Sequence, residues 1–239
     1  MSAHLFVLTV MFMCGLYNLS HSSDEVAAYF DYGDTVEFPP RDYVAPGGPV
    51  AIVRHNENDR SGARRFALVR WGFVPSWAKE VKDGKPLINA RAETVAEKPS
   101  FRNAYRRRRC LVPASGFYEW QGDVPGRKVP FYVPRADGKP LAFGGIWEHW
   151  MGPDGSELES VAILTTAANA QLAAIHHRMP VVIAQGDFAR WLGNEDRPDD
   201  LLRPVPEGFF APVTTEMKRK PVAPKPLEPK PQSDQLDLF

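Results

Sequence analysis

The stretch RCLVPASGFYEW, residues 109–120, is an apolar run with one carboxylate, Glu119, near its end. Its β-branched and aromatic residues favour extended strand. Comparable strand candidates, separated by Gly, Pro and Asp turns, are PVAIVRH (49–55), RFALVRW (65–71), VPFYVPR (129–135), LAFGGIWEHW (141–150) and SVAILTT (160–166). Short helices are predicted at SSDEVAAYF (22–30), PSFRNAYRRRR (99–109), NAQLAAIHH (169–177) and GDFARWLG (186–193). Many strands without regular βαβ alternation predict an α+β domain on a mostly antiparallel, partly barrel-like sheet with flanking short helices.

Composition limits the class of protein. The chain has 239 residues, enough for one well-buried domain with a tail. Its 29 basic residues balance 29 acidic ones, so a global positive field toward nucleic acid is excluded and such affinity must be local. The two cysteines, Cys14 and Cys110, have no CxxC spacing, which argues against a disulfide framework or a structural zinc site. No metal and no cofactor are expected, and a reducing cytoplasm fits best.

The two ends of the chain differ from its middle. The leader, residues 1–13, is apolar but shorter than the roughly 20 residues of a spanning helix, and it lacks the basic start of a signal peptide. No membrane association is therefore expected. Residues 217–234, MKRKPVAPKPLEPKPQSD, have the composition of an extended flexible linker. Residues 235–239, QLDLF, restore apolar character and are typical of a tethered peptide ligand.

Polar residues in apolar surroundings mark candidate chemistry, and each has a simpler explanation. In PLINARAET, the alternating Asn89, Arg91 and Glu93 would share one face of a strand, which could equally be a solvated face. Glu119 lies between aromatics, where a carboxylate is either catalytic or paired with an arginine. His176 is likewise either a functional residue or a structural histidine whose hydrogen bonds are satisfied inside the protein.

Two further features stay open or favour a structural role. The arginine run 106–109 either binds phosphate or solvates a helix end. Cys110 is expected to be a buried strand residue.

Eight segments in order resemble the SOS response-associated peptidase (SRAP) family. They are MCGLYNLS (13–20), YVAPGGPVAIV (43–53), RWGFVPSWAK (70–79), NARAET (89–94), RRCLVPASGFYEW (108–120), FGGIWE (143–148), AILTTAAN (162–169) and HHRMPVVI (176–183). The resemblance implies a single SRAP-like catalytic domain at 14–216. It further implies a DNA-damage protein that covalently captures abasic sites in single-stranded DNA.

The resemblance assigns residues one by one. Cys14, Asn89, Glu119 and His176 match the catalytic positions. Four residues fall in segments that line the family's DNA groove: Pro46, Trp77, Arg91 and Arg178. One departure is Leu16, which stands where many members have arginine and removes one expected phosphate contact.

The implied chemistry needs a free α-amine on Cys14. An α-amino group has a pKa of about 7.7–8.0, so roughly a tenth is neutral at pH 7 and can attack the aldehyde of a ring-opened abasic site. The thiol can then close onto the imine carbon to give a thiazolidine. We expect translation to begin at Met13, after which the methionine is removed; self-cleavage of the leader, with Cys14 as nucleophile, is the alternative.

Two rival functions are compatible with the same residues. A cysteine hydrolase acting in trans would use Cys14 with His176 and Asn89 or Glu119, which would make the protein an ordinary hydrolase or protease. A non-catalytic adaptor would bind DNA through the domain and a partner through the tail. QLDLF resembles the peptide that docks on the bacterial DNA sliding clamp, with Gln235 anchoring and Leu236, Leu238 and Phe239 filling pockets. A monomer acting at damaged or replicating DNA is expected.

Overall fold

The computed structural model of the protein describes residues 14–33, 37–55, 62–81, 86–122, 124, 127–193 and 197–215. The predicted leader (1–13), linker (217–234) and terminal peptide (235–239) lie outside these residues. Within them, no helix combines the length and apolar character needed to cross a bilayer.

Eleven strands and four α-helices make up the described chain. The strands are β1 (Tyr17–Leu19), β2 (Arg41–Val44), β3 (Pro49–His55), β4 (Arg64–Trp71), β5 (Asn89–Arg91), β6 (Arg109–Ala114), β7 (Gly116–Gln121), β8 (Val129–Pro134), β9 (Leu141–Met151), β10 (Glu157–Ala167) and β11 (Arg178–Pro180). The helices are α1 (Ser23–Phe30), α2 (Arg102–Arg107), α3 (Ala170–Ala173) and α4 (Phe188–Leu192).

Five long strands close into a barrel in the order β10-β4-β3-β6-β9, because β10 pairs with both β4 and β9. All of these pairings are antiparallel except β10 with β4. The free end of β10 extends past the barrel and is flanked by β5 and β11. The predicted α+β class and the barrel-like, mostly antiparallel sheet are therefore confirmed.

A second sheet of four antiparallel strands, in the order β2-β1-β7-β8, packs beside the barrel. The prediction of one continuous strand over RCLVPASGFYEW is wrong, because the chain changes sheets at Ser115. The Ser115 hydroxyl accepts hydrogen bonds from the backbone N–H groups of Ser20 (2.8 Å) and His21 (3.2 Å). This break is what allows β6 to belong to the barrel while β7 carries Glu119 to the second sheet.

Helix ends follow the local signals in the sequence. α1 begins with a capping box, in which Ser22 accepts from the N–H of Glu25 and the Glu25 carboxylate accepts from the N–H of Ser22. The helix predicted over 169–177 is confined to α3, because the chain must turn to enter β11. Asn169 caps α3 by accepting from the N–H of Leu172.

The arginine run has a divided role in the structure. Arg109 is buried, and its guanidinium donates to the carbonyls of Trp191 (2.6 Å), Tyr105 (2.8 Å) and Gly193. Arg108 donates to Glu148 at 2.7 Å, whereas Arg106 is exposed. Part of the run therefore stabilises the junction of α2 and α4, and Cys110 is a fully buried strand residue as predicted.

Candidate active site

Cys14 and Glu119 are brought together by the pairing of β1 with β7. Tyr17 lies opposite Phe117, and the N–H of Tyr118 donates to the carbonyl of Leu16 at 2.9 Å. Continuing this register by two residues would place Gly15 opposite Glu119, so Cys14, one residue further along, lies next to the Glu119 side chain. The N–H of Cys14 donates to Oε1 of Glu119 at 2.8 Å, and its thiol donates to the same oxygen at 2.6 Å. One carboxylate oxygen therefore contacts both groups that a covalent reaction at Cys14 would use.

Burial sets the protonation state of this pair. Glu119 is only 4% exposed, and burial raises its pKa to about 7, although the hydrogen bonds from Cys14 oppose the shift. Burial also raises the pKa of the Cys14 thiol well above its ordinary value, and the neighbouring Glu119 adds to that rise. At neutral pH the thiol keeps its proton, and Glu119 is near its own midpoint, where it can take up or release one.

Cys14 adopts an unusual backbone conformation. Its φ angle is +47°, in the left-handed region that non-glycine residues adopt rarely. Such a conformation costs of order 1–3 kcal/mol and persists where surrounding contacts impose it. Here the two bonds to Glu119 and the start of β1 supply those contacts.

His176 is oriented by the backbone of the β11 start. Nδ1 of His176 lies 3.1 Å from the backbone nitrogen of Arg178 and 3.3 Å from its carbonyl oxygen, so this one residue orients the ring in either neutral tautomer. Burial lowers the pKa of His176, which favours the neutral ring. At the same place, the Gln121 side chain donates to the carbonyl of Ala174 at 2.7 Å and joins the end of β7 to the segment that carries His176.

Arg178 spans the end of β10. Its guanidinium donates to both carboxylate oxygens of Glu93 at 2.5 and 2.9 Å and to the carbonyl of Thr165 at 2.5 Å. The side chain is nearly buried, and its charge lowers the pKa of the Cys14 thiol against the larger effect of burial. Its guanidinium is therefore engaged inside the protein, where a phosphate contact would have to replace Glu93.

Asn89 and Arg91 enter through β5, which runs parallel to the end of β10, with Asn89 opposite Ile163 and Arg91 opposite Thr165. The expectation that Glu93 shares their strand face is wrong, because β5 ends at Arg91 and residues Ala92–Thr94 form a 3₁₀ turn. That turn directs the Glu93 carboxylate to Arg178 instead.

Two further residues of the site are not predicted by the sequence. Glu93 is there only part of an alternating pattern, and Lys128 belongs to none of the candidate motifs. Lys128 is half-buried, and its positive charge lowers the pKa of both Glu119 and His176. A lysine just before a strand carries no sequence signal of such a role, since only the pairing of β7 with β8 brings it near.

Two further predicted groove residues, Trp77 and Pro46, lie near the end of β4. Trp77 is 64% exposed and lines a cavity of about 540 Å³ together with Phe73 and Leu87. Pro46 is half-buried in the turn between β2 and β3, where the N–H of Gly47 donates to the carbonyl of Trp71 at 2.8 Å. Arg91 is exposed. Leu16, which differs from the arginine expected at this position, is buried.

The second large cavity, of about 550 Å³, lies on the barrel wall near His149 and Leu68 and includes none of the predicted site residues. Across the described ranges, no three His, Cys, Asp or Glu side chains are grouped so as to hold a metal ion.

Comparison with known families gives one match that covers most of the chain. The model of the family described as "SOS response associated peptidase (SRAP)" matches residues 13–225. The match begins one residue before Cys14 and includes every site residue described above.

Individual relatives are similar over comparable lengths. The chain is 35% identical over 203 residues to the abasic site processing protein YoqW of Bacillus subtilis, covering 83% of this chain and 88% of that protein. It is 32% identical over 191 residues to the abasic site processing protein YedK of Escherichia coli, covering 77% and 81%. A solved structure of a protein from Bordetella bronchiseptica aligns with a TM-score of 0.72 at 28% identity, over 84% of this chain and 98% of that one.

Proposed function

Because this chain belongs to the SOS response-associated peptidase family, we propose that it processes abasic sites in DNA by capturing them covalently at Cys14. The observation that carries the proposal is the shared contact of the Cys14 nitrogen and sulfur with one oxygen of Glu119. Several relatives are named abasic site processing proteins, which supports the substrate class. The proposed substrate is single-stranded DNA in which the abasic sugar opens to an aldehyde.

The reaction proceeds in two steps once Cys14 carries a free amine. The neutral amine adds to the aldehyde carbon and loses water to give an imine, and the thiol then adds to the imine carbon to close a thiazolidine. Glu119, with a pKa of about 7, accepts and returns protons at the nitrogen and the sulfur it contacts. His176 transfers protons during opening of the sugar and loss of water, and Asn89 orients Cys14.

Freeing the amine is a separate requirement, since in the full sequence the Cys14 nitrogen belongs to the Met13–Cys14 peptide bond. Translation that begins at Met13, followed by removal of the methionine, meets it. Self-cleavage also meets it: Glu119 takes the thiol proton, the sulfur attacks the Met13 carbonyl carbon, the C–N bond breaks, and Glu119 gives the proton to the Cys14 nitrogen. Water then hydrolyses the thioester and releases the leader.

The decisive experiment is denaturing electrophoresis with single-stranded DNA that carries one abasic site. The chain that starts at Met13 is expected to give a shifted protein–DNA band that survives denaturation. Cys14→Ala should abolish the band, and the matched Cys110→Ala should leave it, because Cys110 is fully buried in the barrel. Absence of the band in the chain with a free Cys14 would refute covalent capture.

The same samples separate the rival functions and the route to Cys14. A cysteine hydrolase acting in trans keeps its activity when residues precede Cys14, whereas the proposed capture is lost until the amine is free. An adaptor retains DNA binding and function in Cys14→Ala. The intact mass of purified residues 1–239 and of its Glu119→Gln variant tests self-cleavage; loss of residues 1–13 in the first protein only is the result that supports it.

DNA is proposed to run past Trp77 and Arg91, the exposed residues among those predicted for the groove. An exposed tryptophan beside a cavity suits stacking on unpaired bases, and the arginine suits the phosphate backbone. The domain would thereby act as a monomer on single strands at damaged or replicating DNA in the cytoplasm.

Recruitment by the DNA sliding clamp is a second proposal, which rests on QLDLF at 235–239 and the spacer before it. Leu236, Leu238 and Phe239 would fill the apolar pockets of the clamp, and Gln235 would hydrogen-bond at the rim. Deleting the last five residues should abolish retention on immobilised clamp and leave capture of free abasic DNA unchanged. Equal retention of the truncated chain would refute clamp binding through residues 235–239.

A further inference from the structure

Glu93 is the acidic partner of Arg178 at the end of β10. Its carboxylate accepts from both terminal nitrogens of the guanidinium at 2.5 and 2.9 Å. Thr165 adds a second anchor, through its carbonyl at 2.5 Å and its hydroxyl at 3.3 Å. A paired contact of this kind fixes both the position and the plane of a guanidinium.

The position of Arg178 matters to two residues of the proposed site. Its charge acts on the Cys14 thiol, and its backbone N–H holds Nδ1 of His176. Among the described residues, the buried Nε of Arg178 has no hydrogen-bond partner. The orientation of the guanidinium group therefore depends on the contacts of its terminal nitrogens with Glu93 and Thr165.

We propose that Glu93 is a positioning residue, which acts through Arg178 to keep a positive charge near Cys14. This inference rests on the proposed capture at Cys14 and adds a residue to it. Glu93 reaches Arg178 from the 3₁₀ turn after β5, whereas Arg178 starts β11, so the pair also joins the two short strands that flank β10. Glu93 itself contacts neither Cys14 nor Glu119 in the described contacts, and its effect passes through the arginine.

The charged groups around this centre define the expected direction of the effect. Cys14 is acted on by Glu119 from β7, which disfavours the thiolate, and by Arg178 from β11, which favours it. Lys128, before β8, acts on Glu119 and on His176. Releasing Arg178 removes the cation that favours the thiolate, so closure of the thiazolidine should slow.

A double-mutant cycle on the chain that starts at Met13 tests the inference. Glu93→Ala is expected to slow crosslinking to abasic single-stranded DNA about tenfold, a moderate cost for a misplaced group in an active site. Glu93→Asp should recover part of the rate, since it restores the carboxylate. Glu97→Ala, an exposed acid in the same segment, should crosslink at the wild-type rate. In the background of Arg178→Met, Glu93→Ala should have no further effect; an equal slowing there would overturn the proposal.

A second readout does not depend on crosslinking. The thiolate of Cys14 is followed by its ultraviolet absorbance against pH, as the difference between each protein and the same protein with Cys14→Ser. Glu93→Ala and Arg178→Met are both expected to move the titration to higher pH, and the double variant to match Arg178→Met. Unchanged titration in Glu93→Ala would refute the positioning role even where crosslinking fails. Loss of crosslinking in the wild type, with the titration shifts present, would refute only the proposed capture.

Discussion

Replacing Glu119 by glutamine should make the stability of the protein less dependent on pH. Burial raises the pKa of Glu119 from an ordinary value near 4.5 to about 7. A carboxyl with a higher pKa in the folded state favours folding while it is protonated. Its stabilising effect is complete below pH 4.5 and is lost as the pH rises toward 7, because the unfolded chain ionises first.

The size of the effect follows from these two values. Integrating the proton linkage for one group with these pKa values, the wild type loses about 2.5 kcal/mol of folding free energy between pH 5 and pH 8. Glu119 is 4% exposed, so solvent screening reduces this little. Glutamine keeps an oxygen that can accept from Cys14 and has no charge to bury. The wild type and Glu119→Gln should therefore diverge by this amount as the pH rises, whatever constant offset separates them at pH 5.

Urea unfolding at half-unit pH intervals from 5 to 8 measures the divergence. Glu97→Gln is the matched control, since Glu97 is exposed, and its curve should run parallel to the wild type. The range ends at pH 8 because the Cys14 thiol stays protonated there. Parallel curves for wild type and Glu119→Gln would show that Glu119 does not titrate between pH 5 and pH 8. That result would refute its role as the proton carrier.

Three further substitutions have expected outcomes of different kinds. Trp77→Ala should weaken binding of undamaged single-stranded DNA by about 1–3 kcal/mol, measured by fluorescence anisotropy, whereas Met151→Ala, also exposed, should not. Arg109→Met should lower the free energy of unfolding in urea by about 3 kcal/mol, since it leaves buried carbonyls of Trp191 and Tyr105 without their donor; Arg106→Met, at an exposed position, is the neutral comparison. Gly116→Ala should cost about 1–3 kcal/mol because its Cβ would meet the Tyr132 ring at 2.6 Å, and a wild-type melting temperature would contradict the packing seen there.

Much of the secondary structure follows from local patterns in the sequence. The bounds of β3 coincide with the PVAIVRH run, and α1 starts at the serine cap that precedes its acids. β4 ends where Gly72 takes a φ of +141°. These elements were predictable because caps, turns and alternation act over a few residues.

The exchange of sheets at Ser115 was not predictable in this way. An apolar run has the same appearance whether it forms one strand or two strands in different sheets, because both are buried. The bonds that decide it come from Ser20 and His21, nearly a hundred residues earlier. Tertiary partners, and not propensity, end β6 and start β7.

The candidate active site, too, is predictable from the sequence only in part. The family resemblance selected Cys14, Asn89, Glu119 and His176, and the structure joins the first and third of these directly. It could not select Glu93 for Arg178, because the alternating pattern predicted a strand where the chain forms a 3₁₀ turn. Nor could the sequence predict the pKa of Glu119, because burial raises it more than three hydrogen bonds and the charge of Lys128 lower it.

The placement of Cys14 has a mechanical consequence. β1 is an inner strand, paired on one side with β2 and on the other with β7. A DNA strand joined to Cys14 would pull on the protein at the end of this inner strand, along its axis. The hydrogen bonds on both sides would then carry the load together instead of opening one by one. A protein-unfolding enzyme that pulled on the attached DNA would therefore have to break the bonds on both sides of β1 at its first step.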